Sequence, residues 1–238
     1  MSQVSIIIPA LNEAGSIGRV VAEMPWSSIA ECIVVDNGST DGTGSIAAAA
    51  GARVIESPRG YGAACHTGSV AALPASNILV FMDGDGSDII ANLDRLTSPI
   101  VRGEADFVMA SRLRGTREPG SMLPSQVFAG WIVGWLLWIT QGVRYTDMGS
   151  FRAIRRSSLE QLQMSEMTYG WNLEMQIKAC QHRLRIQEIP ADYRRRIAGE
   201  SKVSGNLSAS VRAAARILRV LVNTGLSRRP TSRSGRIH

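Results

Sequence analysis

Five short runs of apolar, largely β-branched residues recur through the first half of the chain, and their spacing restricts the fold more than any other feature. They are Val4–Ile8, Cys32–Val35, Ala52–Ile55, Asn77–Met82 and Ala105–Ala110. Each has strand length, and such runs call for cover on both faces. The stretches between them, Glu13–Met24, Asp41–Ala50, Gly60–Leu73 and Asn92–Arg102, read as helices. Asp41 is placed to cap the second helix, and Pro9 to end the first strand. Repeated strand–helix units of this kind predict an α/β fold with a mostly parallel sheet flanked by helices. At 238 residues the chain is long enough to bury a sizeable core.

In open sheets of this type, ligands sit beyond the carboxyl ends of the strands. Those ends here read Pro9-Ala-Leu-Asn-Glu13, Asp36-Asn-Gly, Asp83-Gly-Asp85 and Ser111-Arg112. Side chains two apart on a strand share a face, so Asp83 and Asp85 can converge on one point. Two such carboxylates repel unless a cation or proton joins them. Oxygen ligands with open positions suit Mg²⁺ or Mn²⁺, the ions that accompany phosphate groups. The plain alternative is a solvated acidic turn. A dinucleotide fingerprint is missing, because Pro9 to Glu13 contains no glycine. Gly60-Tyr-Gly62 opens a helix and offers amides to a phosphate or, equally, a simple turn. No phosphate-binding loop of the nucleoside-triphosphatase type occurs either.

Charge and cysteine content narrow the setting. The net charge is +6, with Arg194-Arg-Arg196 and the C-terminal arginines Arg228, Arg229, Arg233 and Arg236 forming basic stretches. That distribution points to an anionic partner: nucleic acid, an anionic membrane or a phosphorylated substrate. Cys32, Cys65 and Cys180 are odd in number and form no CxxC pair, which fits a reducing compartment. Val4–Ile8 is too short for the core of a cleavable signal.

The second half divides differently. Met109 to Arg117 leaves a strand and enters a loop carrying Arg112, Arg114 and Arg117; arginine suits bidentate phosphate binding, and Arg112, at the strand end, is the best placed. Val127–Ile139 is thirteen uncharged residues with three tryptophans. Such a run is shorter than the ~20 residues that span a bilayer, and it reads equally as a core helix or as an interfacial one. Tyr169–Lys178 reads as a helix, Leu184–Ile189 and Ala191–Arg196 as strands. Leu207–Leu226 reads as a helix with Arg212, Arg216 and Arg219 on one face, able to lie on an anionic membrane or to pack on the domain. Residues 227–238 read as a disordered basic tail.

Three segments taken together carry a resemblance. Ile6-Ile-Ile-Pro9-Ala-Leu-Asn-Glu13, Ile33-Val-Val-Asp36-Asn-Gly-Ser-Thr-Asp41-Gly-Thr43 and Met82-Asp83-Gly-Asp85 resemble the marks of the inverting family 2 glycosyltransferases, which have the GT-A, Rossmann-like fold. Ala110-Ser-Arg112, Asp147-Met-Gly-Ser-Phe151-Arg152 and Gly199-Glu-Ser-Lys202 are similar to the branch of dolichyl- and polyprenyl-phosphate sugar synthases. The resemblance spans about residues 4–205; with the helix and tail read above, the chain divides into a domain over residues 1–205, a basic amphipathic helix at 206–226 and the disordered basic tail at 227–238. It implies that Pro9, Leu11, Asn12 and Glu13 line a nucleoside pocket, with Asp36 on the base of a UDP- or GDP-linked sugar. Asp83 and Asp85 would hold Mg²⁺ or Mn²⁺ against the diphosphate, making Asp85 and Arg112 central to catalysis. Arg112, Ser125, Arg152, Arg196 and Lys202 would meet a lipid-phosphate acceptor. Ser87 departs from the pattern, since that branch often has Gln or His there.

The expected activity is therefore sugar transfer to a polyprenyl or dolichyl phosphate, by a protein lying peripherally on the cytoplasmic face of the membrane. Transfer to a hydroxyl is the alternative, and it would need a general base, for which Glu174, Asp88 and Asp147 are the candidates. A nucleotidyltransferase would want a lysine-bearing, Gly-rich loop after the first strand, which is missing. A nucleic-acid-binding domain would want basic residues interleaved with exposed aromatics, and the tail has no Phe, Tyr or Trp. No nucleic-acid partner is expected.

Overall fold

A computed structural model of the chain describes residues 3–198. The helix expected over 206–226, its three arginines, the basic tail and Lys202 lie outside the described residues. Seven strands form one sheet: β1 (Gln3–Ala10), β2 (Glu31–Asp36), β3 (Arg53–Glu56), β4 (Ser76–Phe81), β5 (Phe107–Ser111), β6 (Arg152–Arg155) and β7 (Ile186–Pro190). Their order is β3-β2-β1-β4-β6-β5-β7. All pairings are parallel except those of β6, which runs antiparallel to both β4 and β5. The helices are α1 (Ile17–Ala22), α2 (Thr43–Ala49), α3 (Tyr61–Ala71), α4 (Leu93–Val101), α5 (Pro124–Gln141), α6 (Arg156–Leu162) and α7 (Trp171–Gln181).

The unbroken apolar runs are explained by two cores, one on each face. Ile6, Ile8, Val34, Val80 and Val108 pack with Ile17, Val21, Leu96 and Ile100 of α1 and α4. Ile7, Ile33, Leu79, Phe81 and Met109 point the other way, onto Ala64, Leu137, Leu159 and Trp171 of α3, α5, α6 and α7. Each buried Ile, Leu or Val side chain contributes roughly 1.5–3 kcal/mol relative to exposure.

Several sequence expectations are corrected. Pro9 does not end β1, which continues to Ala10 with Pro9 opposite Val35. Ala10 accepts from Asn37 on the β2 side, whereas Ile7 accepts from Met82 on the β4 side. By parity Pro9 turns its missing N–H toward β4, beyond the last β1–β4 pair, Ile7–Phe81, where no ladder bond is lost. Ala191–Arg196 is not a strand; only bridges from Tyr193 to Asp88 and Arg117 remain of it. Gly42, in the left-handed conformation, takes the N-cap of α2, while Asp41 accepts the Thr43 N–H from one residue further out. The four-residue β6 escaped the sequence reading because arginines bracket its two apolar residues.

Candidate functional site

The parallel strands end at one rim, where Ala10 stands opposite Asp36 and Ser111 opposite Pro190. Beyond β1 and β2, two loops are stitched together. The Asn12 N–H donates to Ser39 Oγ (2.9 Å), and the Asn12 carbonyl oxygen of the side chain accepts the Thr40 N–H (2.9 Å). Glu13 N–H donates to Thr43 Oγ1 and Ala14 N–H to Asp41 Oδ2. Asn12 adopts a positive φ of 50°, which an Asn tolerates better than most residues. Asp36 is half-buried, and its Oδ1 accepts the Ser39 N–H at 2.7 Å. A side chain at Gly44 would meet Asp36 Oδ2 at 2.9 Å, so glycine lets the start of α2 close on that carboxylate. Pro9, Leu11 and Glu13 stand half-buried at this same corner.

β4 ends at Phe81, so Asp83 and Asp85 do not share a strand face as expected but stand in the turn that runs from Asp83 to Asp88. Asp85 is buried; its Oδ1 accepts from Ser87 N–H (2.8 Å) and Ser87 Oγ (2.6 Å), and its Oδ2 lies 3.0 Å from the Arg196 guanidinium. Asp88 accepts the Asp83 N–H and the Ser150 hydroxyl, each at 3.1 Å. Burial first, and then the charge of Asp85, pushes the Asp83 carboxyl up to about 6. Burial and Asp83 together push Asp88 up to about 7. Such crowding of carboxylates is relieved by a cation, and the oxygen-only donor set fits Mg²⁺ or Mn²⁺. Among the described residues, no group of three or more His, Cys, Asp or Glu side chains is arranged to hold a metal. An ion at Asp83 and Asp85 would thus draw the rest of its shell from ligand and water.

Arg112, at the end of β5, faces this turn from the other side. Its Nε and Nη2 both donate to Asp147 at 2.7 Å, and its backbone N–H adds a third bond to Asp147 Oδ2 at 2.9 Å. Burial works against the charges of both partners, yet the fork-to-carboxylate pairing overrides it and holds Asp147 below the usual carboxylate range and Arg112 above its own. Tyr193 lies under the guanidinium, 5.1 Å from ring centre to Cζ. This residue was missed in the sequence because it stands beside three arginines in a segment read as a strand.

The structure gathers Asp83, Asp85, Arg112 and Arg196 at the rim, with the Asn12–Asp36 corner beside them. Arg152 is not brought there. Its guanidinium is fully buried and donates to the backbone carbonyls of Gly149, Ser150 and Asn172, so it braces the Asp147–Ser150 loop instead of facing a phosphate. Ser125 lies in the first turn of α5. The Gly60-Tyr-Gly62 helix start is also not a phosphate cradle. Its amides donate to Asn37 Oδ1, Thr168 O and Met167 O, and a side chain at Gly62 would collide with the Glu166 carbonyl. Glu174 is spent as well, accepting from Ser165 and Glu166 and pairing with Lys178 at 2.9 Å.

One face of α5 is exposed: Phe128, Trp131, Trp135, Trp138 and Ile139 are each at least half accessible, with Phe128 stacked on Trp131. Its other face buries Val133 and Leu137. The expected run is therefore core on one side only. Among the described residues, no helix is long and apolar enough to cross a membrane.

Comparison with known proteins adds four findings. The family model for glycosyl transferase family 2 matches residues 5–163. An uncharacterized glycosyltransferase of Mycobacterium bovis is 35% identical over 212 residues, covering 87% of this chain and 93% of its own. Undecaprenyl-phosphate mannosyltransferase of Micrococcus luteus is 31% identical over 228 residues, covering 86% and 89%. Among solved structures, glucosyl-3-phosphoglycerate synthase from Mycobacterium tuberculosis, in complex with Mn²⁺, UDP-glucose and phosphoglyceric acid, superposes with a TM-score of 0.74. It is 22% identical and covers 94% of this chain and 80% of its own.

Proposed function

The chain belongs to glycosyl transferase family 2 and uses a nucleotide sugar, and from that premise we propose that it transfers the sugar, with inversion, to the phosphate of a polyprenyl lipid. The observation that carries this reading is the opposition of two groups across one rim. The Asp83–Asp85 turn suits a metal-bound diphosphate, and Arg112, locked by Asp147, presents a fixed cation a short way beyond. A divalent ion, Mg²⁺ or Mn²⁺, would offset the charge that develops on the departing nucleoside diphosphate. Asp36 and the Asn12–Glu13 loop line the nucleoside end for a UDP- or GDP-linked donor. Arg196 would exchange Asp85 for a phosphate oxygen once the donor is seated. Ser125 and Lys202 remain candidates for the acceptor side.

A phosphate acceptor is favoured over a hydroxyl because it arrives as an anion and needs no base. Of the three base candidates, Glu174 and Asp147 are held in ion pairs and Asp88 is buried under Ser150 and the Asp83 amide. The Micrococcus luteus relative, by its name, acts on undecaprenyl phosphate. The aromatic face of α5, uncharged throughout and flanked by exposed Arg117 and Arg144, supports peripheral contact with an anionic bilayer. The helix expected at 206–226 would add a second contact on the cytoplasmic side.

A second reading comes from the Mycobacterium tuberculosis structure, which holds phosphoglyceric acid. The same arginine would grip a small soluble phosphate. Incubating the protein and Mn²⁺ with a panel of UDP- and GDP-sugars separates the two, given undecaprenyl phosphate in one arm and 3-phosphoglycerate in the other. Lipid-linked product is the expected outcome; transfer to phosphoglycerate alone would replace the lipid reading with the soluble one.

A further inference from the structure

Tyr193 occupies the point where the two sides of the rim meet. Its backbone is pinned to one segment by both polar groups: its N–H donates to the Thr116 carbonyl at 2.9 Å, and its carbonyl accepts the Glu118 N–H at 3.0 Å. Its ring lies against the Arg112 guanidinium, on which Asp147 closes with two further bonds. At its other end the hydroxyl is 2.9 Å from Ser87 Oγ, and that serine donates to Asp85 Oδ1 at 2.6 Å. One continuous chain of contacts therefore runs Asp85, Ser87, Tyr193, Arg112, Asp147. Only 9% of Tyr193 is exposed, so its hydroxyl sits where a phenylalanine would fill the space without burying a polar group. Packing explains the ring but not the oxygen.

We propose that Tyr193 is a positioning residue that ties the carboxylate end of the site to its arginine end, fixing the distance between donor diphosphate and acceptor phosphate. The inference rests on the assignment of Asp85 to the donor and Arg112 to the acceptor made above. It gives the two ends of Tyr193 separate duties. The hydroxyl orients Asp85 through Ser87. The ring backs Arg112 and keeps its guanidinium plane aimed at the rim.

Four variants separate these duties: Tyr193→Phe, Tyr193→Leu, Ser87→Ala and the Ser87→Ala/Tyr193→Phe pair. Affinity for UDP and GDP in Mn²⁺ would be measured by calorimetry, and the KM for undecaprenyl phosphate by transfer assay. Loss of the hydroxyl, which also touches Arg112, should weaken nucleoside diphosphate binding about fivefold and shift the acceptor KM by no more than about twofold. Loss of the ring should also raise the acceptor KM, by about tenfold. The pair should bind no more weakly than Ser87→Ala alone, because the hydroxyl reaches Asp85 only through Ser87. The inference is overturned if Tyr193→Phe binds like wild type, if the paired effects add, or if both Tyr193 variants shift every parameter alike with falling stability. Wild type that neither binds a nucleoside diphosphate nor transfers sugar would sink the functional reading and this inference with it. Wild type that does both while the Tyr193 variants match it would sink this inference alone.

Discussion

Asp83 and Asp88 stand within six residues, and their ionisation sets how the metal-free protein responds to pH. Asp88 is held up to about 7 by burial and by Asp83, against an ordinary value near 4. A carboxyl raised in the folded state lends stability that is fully present below its unfolded value and is lost as pH rises through its folded one. Asp147, Glu174 and Asp106 are held low and act in the opposite sense, so the raw profile mixes both. Comparison with Asp88→Asn isolates the first group. In EDTA, the stability of wild type relative to this variant should fall between about pH 4 and 7, by on the order of 1.4 kcal/mol per unit of separation. Urea titrations at several pH values test this, and parallel profiles would remove Asp88 from the raised pair. Asp85→Ala should cost transfer at least about a hundredfold, with the fold intact by circular dichroism. Mn²⁺-dependent nucleotide binding that survives in that variant would refute the metal assignment. These acids were legible in the sequence because charge at the end of an apolar run stands out. Arg152 misled for the converse reason: residue type announces a surface cation, and only the fold reveals a guanidinium capped by three carbonyls.

At the scale of elements, the βα units were legible from periodicity, whereas partners across the sheet were not. Local spacing cannot say that Gly62 faces the Glu166 carbonyl, since a hundred intervening residues must fold first. The assignment has a direct consequence. Gly62→Ala should destabilise the protein by about 1–3 kcal/mol, as overpacking does. Nucleotide affinity of the folded fraction should not change. A loss of affinity without loss of stability, read by calorimetry and urea titration together, would restore the phosphate role to that helix start. For α5, the ambiguity of the apolar run was real, because the helix has a core side and an open side. Replacing Trp131 and Trp135 by Ser removes exposed aromatic area worth about 1–2 kcal/mol each at a lipid interface. Binding to vesicles containing anionic lipid should weaken by roughly two orders of magnitude. Unchanged co-sedimentation would mean that the bilayer is met elsewhere.

Over the whole molecule, the sheet is two half-sheets joined by β6. Strands β3, β2, β1 and β4 are complete once residue 81 is in place, with β1–β2 and β2–β3 joined by single crossovers and β4 returning past them to pair with β1. Within the sheet, the remaining strands β5 and β7 are hydrogen-bonded to that unit through a four-residue strand that arrives 45 residues after β5 begins, at Arg152. Loops of that length slow closure, and long-range pairing dominates folding time. The seam thus sets a schedule for assembly: the nucleotide corner can consolidate while the arginine side is still unjoined. Pulse-labelling during refolding should record amide protection in β1, β2 and β4 before β5 and β7, whereas simultaneous protection would mean that the seam closes in the same step. On the ribosome, the donor half would emerge and knit together first, with the acceptor half docking only when the short reversed strand slides between them.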